Sequence, residues 1–274
     1  MAVFSKELQM NTNKAMADTI NLEGLSEKEK LELIPDNLMF LGCRGSIAYG
    51  MYVPNTDPNS IDDKDIIGVY TNNASHYVGI KKEKEVKEKW YKEWDCVYYE
   101  LLKMVSLLIK GNPNVLSALW LDDKYILYQN AAWKDLVIIR DAFVCKNVYH
   151  SFCGYAHGQF HRMTHMAFDG YMGEKRKSLV EKYGYDTKNA AHLIRLLRMG
   201  IEFLTEGTLY VERRNDATQL LEIKRGEWTL DQVKVESERL FKLCEEAYVH
   251  SSLPNQPDAE KINSYCIYTI MKAI

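Results

Sequence analysis

The stretch GCRGSIAYGMYVPNTDPNSIDDKDIIGVY, residues 42–70, decides how this chain is read. A serine set among glycines (Gly45, Ser46, Gly50) precedes four aspartates in nine positions, Asp57, Asp62, Asp63 and Asp65, and an apolar run follows at once. Carboxylates so close repel one another unless something positive gathers them. On a strand, side chains alternate, so Asp63 and Asp65 are expected on one face. Oxygen donors in that arrangement suit Mg²⁺, which keeps several waters and takes its remaining ligands from substrate phosphates. A third carboxylate on a neighbouring strand would complete a two-metal site, where one ion activates a hydroxyl and the other steadies a leaving pyrophosphate. Asp95, within EWDCVYY, is the candidate. Gly45 and Ser46 would let the backbone approach a triphosphate. An isolated D-x-D is more often a solvated loop. The combination of Gly-Ser, D-x-D entering an apolar run and a later strand aspartate is more specific.

Working outward, NLMFLG ending at Gly42 reads as a buried strand, DIIGVY (65–70) as a second, and residues around 93–98 as a third. The third runs into a helix that stops at Gly111 and Pro113, with a short helix over 114–120. KKEKEVKEKW (81–90) is a charge run, expected as an exposed loop or hairpin flank. WYKEW (90–94) clusters aromatics with bases, either to stack on nucleobases or to cover a sheet edge or core. Ahead of this, residues 1–35 form a lead-in with a short helix, boxed at its start by Ser26 and Glu29 and stopped by Pro35. Beyond residue 130 the pattern turns helical, with helices expected at 132–142, 148–167, 188–206, 216–225, 230–249 and 258–272. Asp186 or Thr187 should cap the third of these and Gly207 end it. Gly226 should end the fourth, and Thr229 with Gln232 box the fifth.

The 274 residues are 46% apolar and 27% charged, the balance of a folded globular chain. A net charge of −3 gives no support for bulk binding to nucleic acid or a membrane surface, although a local basic patch is compatible with it. Six cysteines are scattered without a C-x-x-C pair, which argues against a zinc knuckle or redox motif and suits a reducing compartment. Without an apolar signal region or an uncharged run near 20 residues, the expectation is a cytoplasmic protein with no membrane span.

GSIAYG (45–50), DKDIIGVY (63–70), DCVYYELLKMVSLLIKGNPNVLSALW (95–120), GYDTKNAAHLIRLLRMG (184–200) and RGEWTLDQV (225–233) resemble, in order, the successive blocks of one group. It is the predicted nucleotidyltransferases of the DNA polymerase β superfamily associated with RNA-repair ligases. The resemblance implies an α+β fold: a polymerase-β-like nucleotidyltransferase domain at 36–130, a mixed sheet with flanking helices, then an all-helical domain at 131–274. It implies transfer of a nucleoside monophosphate from an NTP to a hydroxyl, dependent on Mg²⁺ or Mn²⁺, with two ions. Asp63, Asp65 and Asp95 take the metal-binding and catalytic positions, Asp95 nearest the attacking hydroxyl. Gly45 and Ser46 take the turn that holds the triphosphate. The family has about ten residues between the serine and the first aspartate, whereas sixteen separate Ser46 from Asp63 here. The enlarged loop 51–62 therefore carries an insertion, and Asp57 and Asp62 are read as loop or supporting residues.

In the helical half, Ala190, Leu193, Ile194, Leu197, Ile201 and Leu204 share one face and should be core, leaving Lys188, His192 and Arg195 together on another. A solvated polar stripe is the plain reading. The family block shifts it toward nucleotide binding, with Lys188 and Arg195 neutralising phosphates. His157, His161 and His165 recur at helical spacing and are read as a phosphate-facing or solvated stripe ahead of a metal site. The alternative on the same fold is a non-catalytic nucleotide- or RNA-binding or regulatory module. The acceptor hydroxyl, whether an RNA end, a protein or a small molecule, is not written in the sequence.

Overall fold

Five strands form one mixed sheet in the order β3-β4-β2-β1-β5: β1 (Leu38–Arg44), β2 (Lys64–Tyr70), β3 (Val86–Tyr91), β4 (Trp94–Glu100) and β5 (Ile126–Gln129). The structure is a computed structural model, and it describes residues 26, 29, 34–54, 56–58, 60, 62–164 and 173–274. β1 pairs antiparallel with β2 and with β5, β3 antiparallel with β4, and β2 parallel with β4. The parallel pair matters most, because it sets the start of β2 beside the start of β4, with Asp65 directly opposite Asp95.

Both faces of the sheet are covered. Leu41, Cys43, Ile66, Trp94, Cys96 and Tyr98 bury one face in a small cluster. Phe40, Ile67 and Val69, alternate residues of the same strands, join a large cluster that runs on through the helices to Leu240 and Cys266. This is the period-two pattern of strands buried on both sides, and it explains why β1, β2 and β4 read as near-continuous apolar runs.

The helices are α1 (Gly45–Ala48), α2 (Ala74–Tyr77), α3 (Leu101–Ile109), α4 (Pro113–Leu116), α5 (Ala131–Ile138), α6 (Asn147–Thr164), α7 (Glu174–Tyr183), α8 (Thr187–Glu206), α9 (Ala217–Lys224), α10 (Leu230–His250) and α11 (Ala259–Ala273). The expected caps hold. Asp186 accepts the backbone N–H of Asn189, and α8 ends at Gly207. Thr229 and Gln232 form the reciprocal box at α10. Ser26 and Glu29 make their box, while the rest of the lead-in helix lies outside the described residues.

The charge run 81–90 is a loop and then one arm of a hairpin, as expected: from Val86 it is the edge strand β3, which pairs with β4 through a two-residue turn in which Lys92 takes a positive φ of 53°. Its charges guard an edge that would otherwise template further pairing. Two expected helices divide, and two elements appear that were not expected. The helix expected at 132–142 divides into α5 and a 3₁₀ turn at Arg140–Phe143, and that at 114–120 into α4 and a 3₁₀ turn at Ser117–Trp120. α7 and β5 were not expected, the first because its sequence, EKRKSLVEKY, has little apolar periodicity and the second because it is four residues long. The end of the helix expected at 148–167 lies outside the described residues. No helix among the described residues is long and apolar enough to cross a membrane.

Candidate functional site

The site begins at the end of β1, where the chain leaves the sheet through Arg44 and turns through Gly45. Gly45 has φ +65°, and a Cβ built there would lie 2.5 Å from the Asp65 Oδ2. The turn therefore needs glycine twice over, for its left-handed backbone and for room beside the carboxylate. α1 follows, and Ser46 Oγ is buried in it without a hydrogen-bond partner among the described residues. A buried hydroxyl left unsatisfied calls for an explanation, and a bound ligand atom is one.

The helical half fixes this turn. The Tyr49 carbonyl accepts the backbone N–H of Arg213 at 3.0 Å. The Arg195 guanidinium stacks on the Tyr49 ring at 3.8 Å. Arg195 is 4% exposed, and its other contacts are Met199 Sδ at 3.1 Å and His192 Nδ1 at 3.5 Å. Among the described residues no carboxylate lies within ion-pair distance of it. Burial pushes its pKa down, and Asp216 opposes that from further away. A buried cation held by tyrosine, thioether and imidazole, with no carboxylate beside it, is an unusual arrangement, because desolvation is costly without an anion.

The three predicted carboxylates are brought to one end of the sheet, with different partners. Asp65 and Asp95 face each other across the parallel pair, and Arg44 Nη2 reaches Asp65 at 3.4 Å and Asp95 at 3.5 Å. Burial pushes the Asp65 carboxyl up, Arg44 opposes this, and the nearby Asp63 charge adds to it. Asp63 stands just before β2 and is 62% exposed, with its Oδ2 2.8 Å from Lys188 Nζ. Among the described residues no three His, Cys, Asp or Glu side chains stand grouped as a metal cage. The donors are nonetheless all carboxylate oxygens, and the Asp65–Asp95 pair already receives a cation in Arg44. Lys64, between the two aspartates in sequence, points to the other face and pairs with Glu93 over the Trp94 ring.

Lys188, His192 and Arg195 are not a solvated stripe. α8 is buried along nearly its whole length, and only Thr205 and Glu206 at its C-terminal end are exposed. The His192 pKa is held well below its ordinary value by burial and then by Arg195, Lys188, Lys224 and Arg176, so the imidazole is neutral at pH 7. Four cations stand around this one neutral ring; Lys188, Lys224 and Arg176 are paired with Asp63, Asp62 and Asp186, and Arg195 has no carboxylate in reach among the described residues. The sequence reading missed Arg44 and Lys224. Arg44 could have been found from its place next to Gly45. Lys224 could not, because its partner, Asp62, is 162 positions away.

The enlarged loop is clasped by the helical half. Buried Asp62 pairs with buried Lys224 and accepts the Val53 N–H at 2.8 Å. Lys224 also donates to the Met51 carbonyl, Arg225 approaches Asp57 at 3.8 Å, and Lys175 donates to the Asp57 carbonyl at 3.1 Å. Asp57 and Asp62 therefore secure the loop. His157 stacks on Phe241 at 4.2 Å but stays exposed, as does His161, which agrees with a solvated stripe, and His165 lies outside the described residues.

A chain that sets a glycine turn, a carboxylate pair and a buried arginine at one end of a mixed sheet has the layout of a nucleotide-handling protein, and the comparisons say which. The family model described as "RNA repair pathway DNA polymerase beta family" matches residues 16–268, and the chain belongs to that family, a nucleotidyltransferase-like group of the polymerase β type. It is 25% identical over 259 residues to the uncharacterized protein MJ0002 of Methanocaldococcus jannaschii, covering 87% of this chain and 96% of that one. Among solved structures it is similar to a nucleotidyltransferase-like protein from Exiguobacterium sibiricum at 9% identity, covering 89% of this chain and 77% of that one. The TM-score there is 0.29, and that likeness carries no argument.

Proposed function

We propose that the protein transfers a nucleoside monophosphate from an NTP to a hydroxyl and releases pyrophosphate, with Mg²⁺ or Mn²⁺ as cofactor, and that its acceptor is an RNA end. The observation that carries this reading is the pairing of Asp65 with Asp95 across parallel strands, beside the glycine turn at Gly45 and close to the buried Arg195, which has no carboxylate partner among the described residues. Asp63, Asp65 and Asp95 would hold the divalent ions, and these supply charge neutralisation at the reacting phosphate.

Gly45 and the Ser46 hydroxyl hold the phosphate chain at the turn. Lys188 and Arg195 neutralise it, Lys188 as a point charge and Arg195 as a fork. His192, kept neutral, serves as a hydrogen-bond donor or acceptor there and does not titrate against substrate. Asp95 lies nearest the acceptor hydroxyl and orients it, taking its proton as the new ester bond forms. Positioning and electrostatic stabilisation account for most of the catalysis in such transfers.

The test is incubation with each labelled NTP, Mg²⁺ or Mn²⁺ and an oligoribonucleotide, followed by gel analysis of the oligomer and measurement of pyrophosphate. Asp63→Asn, Asp65→Asn and Asp95→Asn should each reduce labelling at least 100-fold, the size of effect expected for a key electrostatic group. Wild-type labelling in those variants would sink the reading. NTP binding that needs no metal and yields no product would favour a non-catalytic module.

A further inference from the structure

The aspartates belong to a longer row. Register across four strands places Arg44 opposite Asp65, Asp65 opposite Asp95, and Asp95 opposite Trp90 on the edge strand β3. Paired residues project from the same face of a sheet and stand about 5 Å apart across an antiparallel pair. Trp90 is 71% exposed. It makes no ring or cation contact among the described residues, whereas Trp94, two residues past the turn at Lys92, is wholly buried. An indole that is left in solvent, one strand from a reacting carboxylate, is not covering a core.

The row also has a direction. Its phosphate end is at Gly45 and Arg44, where Lys188 and Arg195 approach from α8. Its other end, past Asp95, is Trp90. What lies on Trp90 is therefore the group that brings the hydroxyl to Asp95. The segment 81–92 that carries Trp90 has six lysines against three glutamates, a local excess of +3 in a chain whose net charge is −3. Lys81, Lys82 and Lys84 are exposed.

We infer that Trp90 is the stacking platform for the terminal base of a single-stranded nucleic-acid acceptor, whose phosphates follow the lysine-rich strand and whose terminal hydroxyl is presented to Asp95. The inference rests on the nucleotidyl-transfer reading for the hydroxyl's role, while the stacking itself stands on exposure, register and charge. Base-on-aromatic stacking tolerates any sequence, so the site selects single-stranded ends over paired ones and has little base preference.

The experiment measures binding of a labelled 12-residue oligoribonucleotide by anisotropy, without NTP, to wild type, Trp90→Ala, Trp90→Phe and Asp65→Asn. Trp90→Ala should weaken binding about 5- to 100-fold, Trp90→Phe should retain most of it, and Asp65→Asn should bind at least as well as wild type. Both Trp90 variants should melt with wild type, since an exposed side chain on an edge strand contributes little to the fold. In the transfer assay, Trp90→Ala should raise KM for the oligomer with kcat and KM for NTP held. Equal oligomer binding by wild type and Trp90→Ala, or no binding by wild type, overturns the inference, as does labelling of small hydroxyl compounds with none of RNA. A wild type that binds the oligomer through Trp90 yet transfers nothing would refute the proposed activity and leave the platform standing.

Discussion

Replacing Gly45 by alanine separates two demands that the turn makes on one residue. The first is backbone: at φ +65° an L side chain costs about 1–2 kcal/mol. The second is contact, because the new Cβ would lie 2.5 Å from Asp65 Oδ2 where ordinary contact begins at 3.4 Å. Asp65 is a short side chain and can rotate, so the fold is spared most of that clash and the carboxylate absorbs it by moving about 1 Å. A displacement of that size at a reacting group costs on the order of 100-fold in rate. Gly184 provides the control. It has φ +76° and nothing within 4 Å of a built Cβ, so Gly184→Ala carries the backbone cost alone. Both variants should melt about 2–8 °C below wild type. Only Gly45→Ala should lose nucleotidyl transfer, by about 100-fold in kcat, measured as labelled product per time at saturating NTP. Wild-type kcat in Gly45→Ala, or an equal loss in Gly184→Ala, would refute the reasoning.

Three further outcomes follow from the site's electrostatics. Lys224→Met leaves the Asp62 carboxylate buried without its cation and should cost about 3–5 kcal/mol in urea unfolding, with Asp62→Asn in the same chain restoring much of it. Arg195→Met removes a buried charge that has no carboxylate beside it. It should keep or raise the urea midpoint while weakening NTP binding, read by calorimetry, by about 10-fold or more. His192 has a pKa lowered in the folded state, so the unfolded chain binds the extra proton. Its contribution is complete above the ordinary histidine range near pH 6.5 and is lost as pH falls below it, and His192→Asn should flatten the urea midpoint between pH 5 and 7.

The sheet's three central strands could be read from sequence because both their faces are buried, which leaves unbroken apolar runs. The caps of α8 and α10 were readable for a similar reason, since one side chain and one backbone group within four residues decide each. β3 was legible only as a loop or hairpin flank, because an edge strand keeps its charges and is recognised only by the partner it pairs with. α7 was not legible at all, because a mostly polar helix shows no apolar stripe. Lys188, His192 and Arg195 were correctly set on one side of α8. The burial of Arg195 was hidden, since it depends on the Tyr49 ring, 146 residues earlier in the chain, lying over it. The two tryptophans of WYKEW show the same limit, as identical side chains four residues apart end in opposite environments.

By itself the sequence determined the chemistry available: a glycine turn, aspartates entering a strand, another aspartate thirty residues on, and a basic helix. These are local facts, fixed by residue type and spacing. Only the tertiary structure decided which of them meet. The parallel pairing of β2 and β4 put Asp65 opposite Asp95, and packing from the far half of the chain put Lys224 on Asp62 and Arg195 beneath Tyr49. Pairing across strands and between distant helices is set by which apolar faces bury together, a property of the whole chain that no single stretch encodes.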